Sequence, residues 1–452
     1  MKNSICLFLV YFAGFLLLGD CQYRVLDEWH YFLLTEAMAT RAAITLPVPQ
    51  FTTIAAPTPD GGPYLPTRFP LGYPLAAVPV YLLLRSIAGG VGFHDLTFLA
   101  GSIETANAVI SATLLVLLAR LLARYFGALR RAAVVAGLFG FGTILLHYAR
   151  SNFSESLQAL LLFAAVMLIL TRPVLHERRT GLLFGFCLGW LLLTKSTFLL
   201  FIPLLLLWAA RRYCTAGRPD YLTPGVPLLL GVIIYGWYNY ARTGDWLDFY
   251  YPELYTVGVG GTERTVPQNF SDPPWHGLLC YLFSPGKSIF LTSPLLLLSL
   301  PGLWWWWRHH RLDAGFLLLL IVAYTMLFAC FAGWEGGLCW GPRFLVPLVP
   351  LLVLLAAPVF FSPLRFWRWL AGGLAILSLL QQLFIAGTDS MTALSVARPP
   401  YGIGRYYPLS LNPYPPLLAQ YRRMGQPAPP PPVAFFLRMA DPYRPTFWWW
   451  SR

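Results

Sequence analysis

Long apolar runs, separated by short clusters of arginine, set the pattern of this chain. A stretch of roughly 17 to 25 mostly apolar residues is the length that crosses a bilayer as a helix. On that measure the pattern predicts helices near residues 4 to 19, 100 to 124, 132 to 149, 155 to 171, 180 to 194, 197 to 210, 222 to 241, 288 to 307, 314 to 332, 343 to 361 and 369 to 387. The chain is thus predicted to be an all-α polytopic membrane protein of about eleven spans. A further apolar run, Phe69 to Ala88, is placed by charge. Counting it as a span puts the clusters Arg120/Arg124/Arg130/Arg131, Arg172/Arg178/Arg179, Arg211/Arg212 and Arg308/Arg311 outside. Treating it as interfacial puts all of them, with Arg365 and Arg368, on the side of Lys2, as the positive-inside rule requires. The first run is then expected to be an uncleaved signal anchor with its N-terminus in the cytoplasm, since no small-x-small cleavage site follows Gly19.

This topology divides the chain into a transmembrane domain over residues 1 to 387 and a Pro- and Trp-rich outer tail over 388 to 452. Within the first, a large outer loop from about 20 to 99 carries interfacial helices, and a second runs from about 242 to 287. The tail holds Pro429 to Pro432, which favours extended polyproline structure, and closes on Trp448 to Trp450, an interfacial aromatic anchor. Trp304 to Trp307, just before Arg308, forms a similar belt at the inner face.

Composition agrees with the pattern: of 452 residues 57% are hydrophobic and 11% charged, which excludes a soluble domain of this length. A net charge of +13 would suggest nucleic acid in a soluble protein, but here it reports topology. The seven cysteines, Cys6, Cys21, Cys187, Cys214, Cys280, Cys330 and Cys339, have no metal-ligand spacing and are expected to be packing residues. A Cys280 to Cys339 disulfide stays open if both face an oxidising compartment.

The polar residues gather on one side. Glu104, Asn107, Arg150, Glu155, Lys195, Asn239, Lys287, Glu335 and Arg343 all fall at outer ends of the predicted spans. An ion-coupled transporter would carry ionisable groups near the middle of its spans, so that class is disfavoured. Asp27 and Glu28 open the stretch LDEWHYFLLTEAMATR just beyond the first span. Carboxylates at a membrane face are costly unless hydrated or used; on the pair alone, capping of a solvated interfacial helix and a chemical role are both open. His30 lies one turn beyond Asp27 and shares its face, as a solvated surface histidine or as a substrate contact. Asp245 and Asp248 are expected to face water.

Two outer helix starts suit an anion: Ser284-Pro285-Gly286-Lys287 before the span from 288, and Trp340-Gly341-Pro342-Arg343 before the span from 343. Proline near the first helical position, free backbone N–H groups and a basic side chain make a phosphate site. The competing explanation is that Lys287 and Arg343 snorkel to lipid headgroups.

The chain resembles the GT-C superfamily of integral-membrane glycosyltransferases, which includes protein mannosyltransferase-like and aminoarabinose transferase-like enzymes using polyprenyl-phosphate sugars. The resemblance is carried by LDEWHYFLLTEAMATR, HYARSNFSES, LLLTKSTF, YNYARTGDWLDFYY, FSPGKSIFLTSPLLLL and GGLCWGPRFLVPLVP, and covers roughly residues 20 to 390. It implies that Asp27 is the catalytic base of the first outer loop, with Glu28 beside it. Glu155 in SNFSES stands where the family more often has an aspartate, which puts a carried-over metal role in doubt; capping of the helix after Ser154 is the other role open to it.

The implied reaction is inverting transfer of a sugar from a polyprenyl-phosphate donor to a lipid, glycan or protein acceptor at the outer face of a bacterial plasma membrane. Lys287 and Arg343 would hold the leaving phosphate, with His30, Arg150, Glu155 and Lys195 as further substrate contacts. A divalent cation could share the task, although no ligand set requires one. The alternative is a non-enzymatic flippase or binding protein for anionic isoprenoid lipids, which gives Asp27 and Glu28 no task.

Overall fold

The computed structural model describes residues 2–19, 26–47, 64–66, 69–90, 103–213, 217–247, 270, 272–337, 339–388 and 412–422. In chain order the helices are α1 (Lys2–Leu17), α2 (Leu26–Arg41), α3 (Gly72–Gly90), α4 (Thr105–Phe126), α5 (Leu129–Gly142), α6 (Leu145–Ala149), α7 (Glu155–Thr171) and α8 (Arg178–Thr194). They continue as α9 (Ile202–Arg212), α10 (Leu222–Thr243), α11 (Pro274–Phe283), α12 (Ser299–His309), α13 (Arg311–Ala329), α14 (Val349–Phe361), α15 (Arg365–Ala386) and α16 (Tyr414–Arg422). Strands β1 (Thr45–Pro47) and β2 (Tyr64–Pro66) pair antiparallel, Leu46 opposite Leu65. The architecture is helical and polytopic. Most of the tail, with Pro429 to Pro432 and Trp448 to Trp450, lies outside the described residues, as do Cys21, Cys214 and Asp248.

Every apolar run expected to span contains helix, but several are interrupted where the sequence offers the backbone an alternative partner. The span expected over 288 to 307 is helical only from Ser299, after a 3-10 segment at Pro294–Leu298. The Ser288 hydroxyl accepts from the Phe290 and Leu291 N–H groups at 3.2 and 3.1 Å, closing a turn where a helix was expected. The run 132 to 149 breaks between α5 and α6, where Thr143 Oγ1 donates to Phe139 O at 2.7 Å. The run from 343 opens as a 3-10 segment, Arg343–Leu348, containing Pro347. The run 197 to 210 likewise opens as 3-10 at Ser196–Leu200.

Five described segments are long and apolar enough, by length and composition, to cross a membrane: Gly72–Gly90, Thr105–Phe126, Arg311–Ala329, Arg343–Phe361 and Arg365–Ala386. The first is the run that charge places in the interface. At 19 residues, and about 1.5 Å per residue, it has close to the length of a span.

The chain forms two compact units. One comprises Met1–Val25, Asn107–Ser151 and Asn269–Arg452. Its centre is the enclosed Arg343–Phe361 segment: Gly302 of α12 brings backbone against Leu355, and Trp306 Nε1 donates to Leu354 O at 3.0 Å. α1 packs on α5 through Tyr11, whose hydroxyl donates to Ala133 O at 2.7 Å, and through the Phe15–Phe141 ring pair. On α15, Ile376 and Leu380 are 61% and 63% exposed, a surface suited to lipid and not to water.

The other unit comprises Leu26–Ala106 and Asn152–Gln268. Here α8 and α10 lie backbone to backbone. A Cβ on Gly185 would come within 2.0 Å of Pro224 O, and one on Gly231 within 2.6 Å of the Gly189 Cα. Small residues at four-residue spacing permit that approach, the usual way for helices to gain packing in lipid. α10 starts where Asp220 accepts from the Leu222 and Thr223 N–H groups at 2.9 and 3.1 Å; the Thr223 hydroxyl bond holds this carboxyl below its ordinary value of 3.8. It ends at Gly244, whose φ of +78° suits glycine.

Candidate active site

One candidate cluster, of carboxylates, lies in the unit that contains α2. Asp27 and Glu28 occupy its first turn, where the helix dipole favours negative charge. The two differ in use. Glu28 is buried at 3% exposure; its Oε1 accepts the Asn152 N–H at 3.1 Å, and its backbone carbonyl accepts Asn152 Nδ2 at 2.9 Å. Asp27, about 100° round the helix, is only partly buried.

Tyrosines extend this network. Tyr73 Oη donates to Asn152 Oδ1 at 2.6 Å, and Tyr31 Oη to Ser154 Oγ at 3.1 Å. Glu28, Glu104 and Glu155, all buried, lie within electrostatic reach of the Tyr73 hydroxyl. Ser154 precedes α7 without a side-chain cap, so Glu155 does not complete a capping box; the Ser154 hydroxyl accepts Gln158 Nε2 at 2.9 Å instead. His30 is 6% exposed and stacks on Phe69 at 5.2 Å. The expected solvated surface histidine is therefore overturned: Phe69, pinned by Tyr238 Oη on its carbonyl at 2.7 Å, covers the ring.

Lys195 follows α8, half-buried. Its neighbour Thr194 packs against Gly72, and Trp190 Nε1 donates to Gly72 O at 3.0 Å. That contact brings Lys195 to the end of α3 that carries Tyr73. Asp245 is exposed, as expected.

A second, basic cluster lies in the other unit, where Lys287, in the turn after α11, and Arg343 meet on the loop between α13 and α14. Lys287 is fully buried, and its ammonium donates to Gly337 O at 3.0 Å and Cys339 O at 2.7 Å. Because α11 ends at Phe283 and no helix begins at 288, Lys287 does not stand at a helix start. It stands in a turn and grips a loop. Gly336, Gly337 and Gly341 shape that loop with φ of +68°, +72° and +66°. A Cβ on Gly336 would sit 2.8 Å from Arg343 Cβ, so glycine is what lets the loop close on Arg343. Arg343 begins the 3-10 segment at 9% exposure, with Nη1 4.0 Å from Cys339 Sγ and its guanidinium 6.0 Å above the Phe344 ring.

Glu335 on the same loop is buried beside Tyr281. Burial first, and then the Glu335 charge, push the Tyr281 hydroxyl well above its ordinary 10.0. It stays protonated and donates to Trp334 O at 2.7 Å. Arg150, expected as a substrate contact, places Nη1 on Ala386 O at 2.7 Å, where it satisfies a carbonyl at the end of α15. The five described cysteines are free, Cys280 and Cys339 among them, so the disulfide left open by the sequence is not formed. Among the described residues, no group of three or more His, Cys, Asp or Glu is placed to hold a metal ion.

Glu104, Tyr31, Tyr73 and Asn152 were not singled out as site residues by the sequence. Asn152 sits inside HYARSNFSES and was the one open to discovery there; the tyrosines belong to the network only because α2, α3 and the residues before α7 meet.

This helical membrane architecture, with a carboxylate-bearing helix after the first apolar helix, is a fold shared with a solved membrane protein. Among solved structures it is similar to ArnT from Cupriavidus metallidurans bound to undecaprenyl phosphate, with a TM-score of 0.55 and 16% identity, covering 100% of this chain and 84% of that one. A likeness of 0.49 and 12% identity relates it to the archaeal oligosaccharyltransferase AglB from Archaeoglobus fulgidus, in complex with an inhibitory peptide and a dolichol-phosphate, over 85% of this chain and 55% of that one. No protein-family model and no curated protein matches the sequence.

Proposed function

We propose that this protein is an inverting glycosyltransferase that moves a sugar from a polyprenyl-phosphate donor to an acceptor hydroxyl or amine at the outer face of the plasma membrane. The observation that carries the reading is the division of labour in α2. Glu28 is committed to Asn152, and this fixes the first turn, while its neighbour Asp27 remains partly accessible. The shared fold with ArnT, which binds undecaprenyl phosphate, supports a lipid phosphate on the donor.

In the proposed step, Asp27 takes the proton of the acceptor as its oxygen or nitrogen bonds to the anomeric carbon. The bond from that carbon to the phosphate oxygen breaks on the opposite side, and its electron pair leaves with the polyprenyl phosphate. No covalent enzyme intermediate is needed. General-base help of this kind is worth about 10² to 10⁴-fold. Arg343, planar and permanently charged, is assigned to the phosphate of the donor. Lys287, whose ammonium is engaged by two carbonyls, is assigned to holding the loop that carries Glu335 and leads to Arg343. Tyr73, Glu155 and Lys195 are assigned to the acceptor side, within the unit of α2.

Purified protein incubated with a pool of radiolabelled polyprenyl-phosphate sugars tests the reading. Transfer of label with release of free polyprenyl phosphate is expected. Saturable binding with no release would leave the lipid-binding alternative in its place.

A further inference from the structure

Three helix-to-helix turns of the unit containing α4, α5 and α12 to α15 meet in one surface: 126–129, 309–311 and 361–365. Ring contacts knit them together. Phe126 stacks on Phe361 at 4.6 Å and reaches Trp305 at 5.3 Å, while Tyr125 meets Trp306 and His310 edge-on at 5.0 and 5.4 Å. Arg131 Nη2 donates to Phe360 O at 2.5 Å, with its guanidinium 5.0 Å over the Phe361 ring.

The surface is strongly and one-sidedly charged. Arg130, Arg131, Arg308, Arg311, Arg365 and Arg368 are all exposed on it. Among the described residues of these helices the one carboxylate is Asp313, which is buried at 1% exposure and so does not screen them from outside. Two of the guanidiniums are pre-positioned by indole rings of α12: Arg308 lies 4.1 Å over Trp304 and Arg311 5.5 Å over Trp307. Stacking uses the face of a guanidinium and leaves its N–H donors pointing outward in the plane, the arrangement that takes a phosphate by two parallel hydrogen bonds.

Beside these charges stand Trp304, Phe366 and Trp369 at 61, 66 and 81% exposure. Water alone does not suit such a border of exposed rings, and a free phosphate ion would leave them uncovered. A headgroup with acyl chains satisfies both halves of the surface at once.

We propose that this three-turn junction is a binding face for the phosphate headgroup of an anionic diacyl glycerophospholipid. The bound lipid neutralises the guanidiniums that would otherwise repel one another, and its chains cover the flanking rings. The site is separate from the residues assigned to sugar transfer and does not depend on that assignment.

The test uses full-length protein, delipidated in neutral detergent and given an equimolar mixture of phosphatidylglycerol and phosphatidylcholine of the same acyl chains, with bound lipids counted by native mass spectrometry. Phosphatidylglycerol should be enriched at least about threefold among the first lipids bound. Arg308→Gln/Arg311→Gln should abolish the enrichment, whereas Arg178→Gln/Arg179→Gln, which removes the same charge from exposed residues of the other unit, should keep it. Inorganic phosphate should not compete. Equal uptake of the two lipids, an equal loss in both variants, or displacement of phosphatidylglycerol by polyprenyl phosphate at equal concentration would each overturn the proposal. Should the double variant not fold, Arg308→Lys/Arg311→Lys, which keeps charge but loses the planar fork, is expected to reduce the enrichment without abolishing it; unchanged enrichment there would count against the guanidinium contacts.

Discussion

Asn152 holds Glu28 twice, its backbone N–H on the carboxylate at 3.1 Å and its side-chain amide on the Glu28 carbonyl at 2.9 Å. The two residues are 124 positions apart, so this pair ties the first turn of α2 to the segment before α7. Asp27 stands in the same first turn, next to the tied residue. Glutamine at position 28 keeps an acceptor oxygen of the same reach, and Glu28→Gln is expected to cost clearly less activity than loss of Asp27. Asn152→Ala keeps the backbone N–H on the carboxylate but removes the amide from the Glu28 carbonyl and the acceptor of the Tyr73 hydroxyl, two buried bonds whose loss costs about 1 to 3 kcal/mol each. It should lower both the thermal midpoint and the transfer rate, measured on protein purified at matched lipid content. An unchanged midpoint would show that the tie does not position the turn.

The basic loop separates two lysine and arginine roles. Lys287→Met removes the ammonium from Gly337 O and Cys339 O in a fully buried site, and should reduce folded yield before any kinetic effect is seen. Arg343→Ala should instead fold and raise the apparent KM for donor, and Arg343→Lys should restore part of it, because a point charge replaces a bidentate fork incompletely. Equal, negligible effects of both Arg343 variants on donor KM would mark it as a headgroup contact.

Backbone contact between α8 and α10 leaves no room at Gly185, where a Cβ would meet Pro224 O at 2.0 Å. Gly185→Val is therefore expected to abolish folded protein in the membrane fraction, while Gly225→Val, where an added Cβ meets nothing within 4 Å, should express near the wild-type level. Size-exclusion profiles of the two variants decide it.

That glycine series is a helix contact legible in the sequence itself. Gly181, Gly185 and Gly189 recur every four residues and face α10, a spacing visible in the chain without any structure. The apolar runs located the helices because hydrophobic length is a local property. They failed at 288 to 307 because Ser288 and Pro294 compete with the helix for backbone partners, a choice decided by side-chain hydrogen bonds and not by apolarity. Asp27 and Glu28 were legible as a pair, but not their difference in burial. The fate of Lys287 was hidden for the same reason: its carbonyl partners lie 50 and 52 positions away on a loop shaped by positive-φ glycines. A lysine beside a proline and a glycine looks alike whether it meets a phosphate or a carbonyl.

Charge and length disagree on α3. Its 19 residues could cross a membrane, yet a span there would reverse the sidedness of every later arginine cluster. The charge argument predicts that cysteines placed at Pro70 and at Gly90, in a cysteine-free background, are both labelled from the outer face, and that one placed between Arg178 and Arg179 is labelled only from the cytoplasm. Labelling of positions 70 and 90 from opposite faces would make α3 a span and overturn the assigned topology.

The central claim rests on one proton. Asp27→Asn keeps the size of the side chain and its suitability at a helix start, so folding and membrane insertion should be unchanged. Asparagine cannot accept the acceptor's proton. With a verified polyprenyl-phosphate donor, transfer by Asp27→Asn is predicted to fall by at least about two orders of magnitude, the span of a lost general base. Near-normal turnover by a properly folded Asp27→Asn protein would reduce Asp27 to a helix-start residue and contradict the enzymatic account.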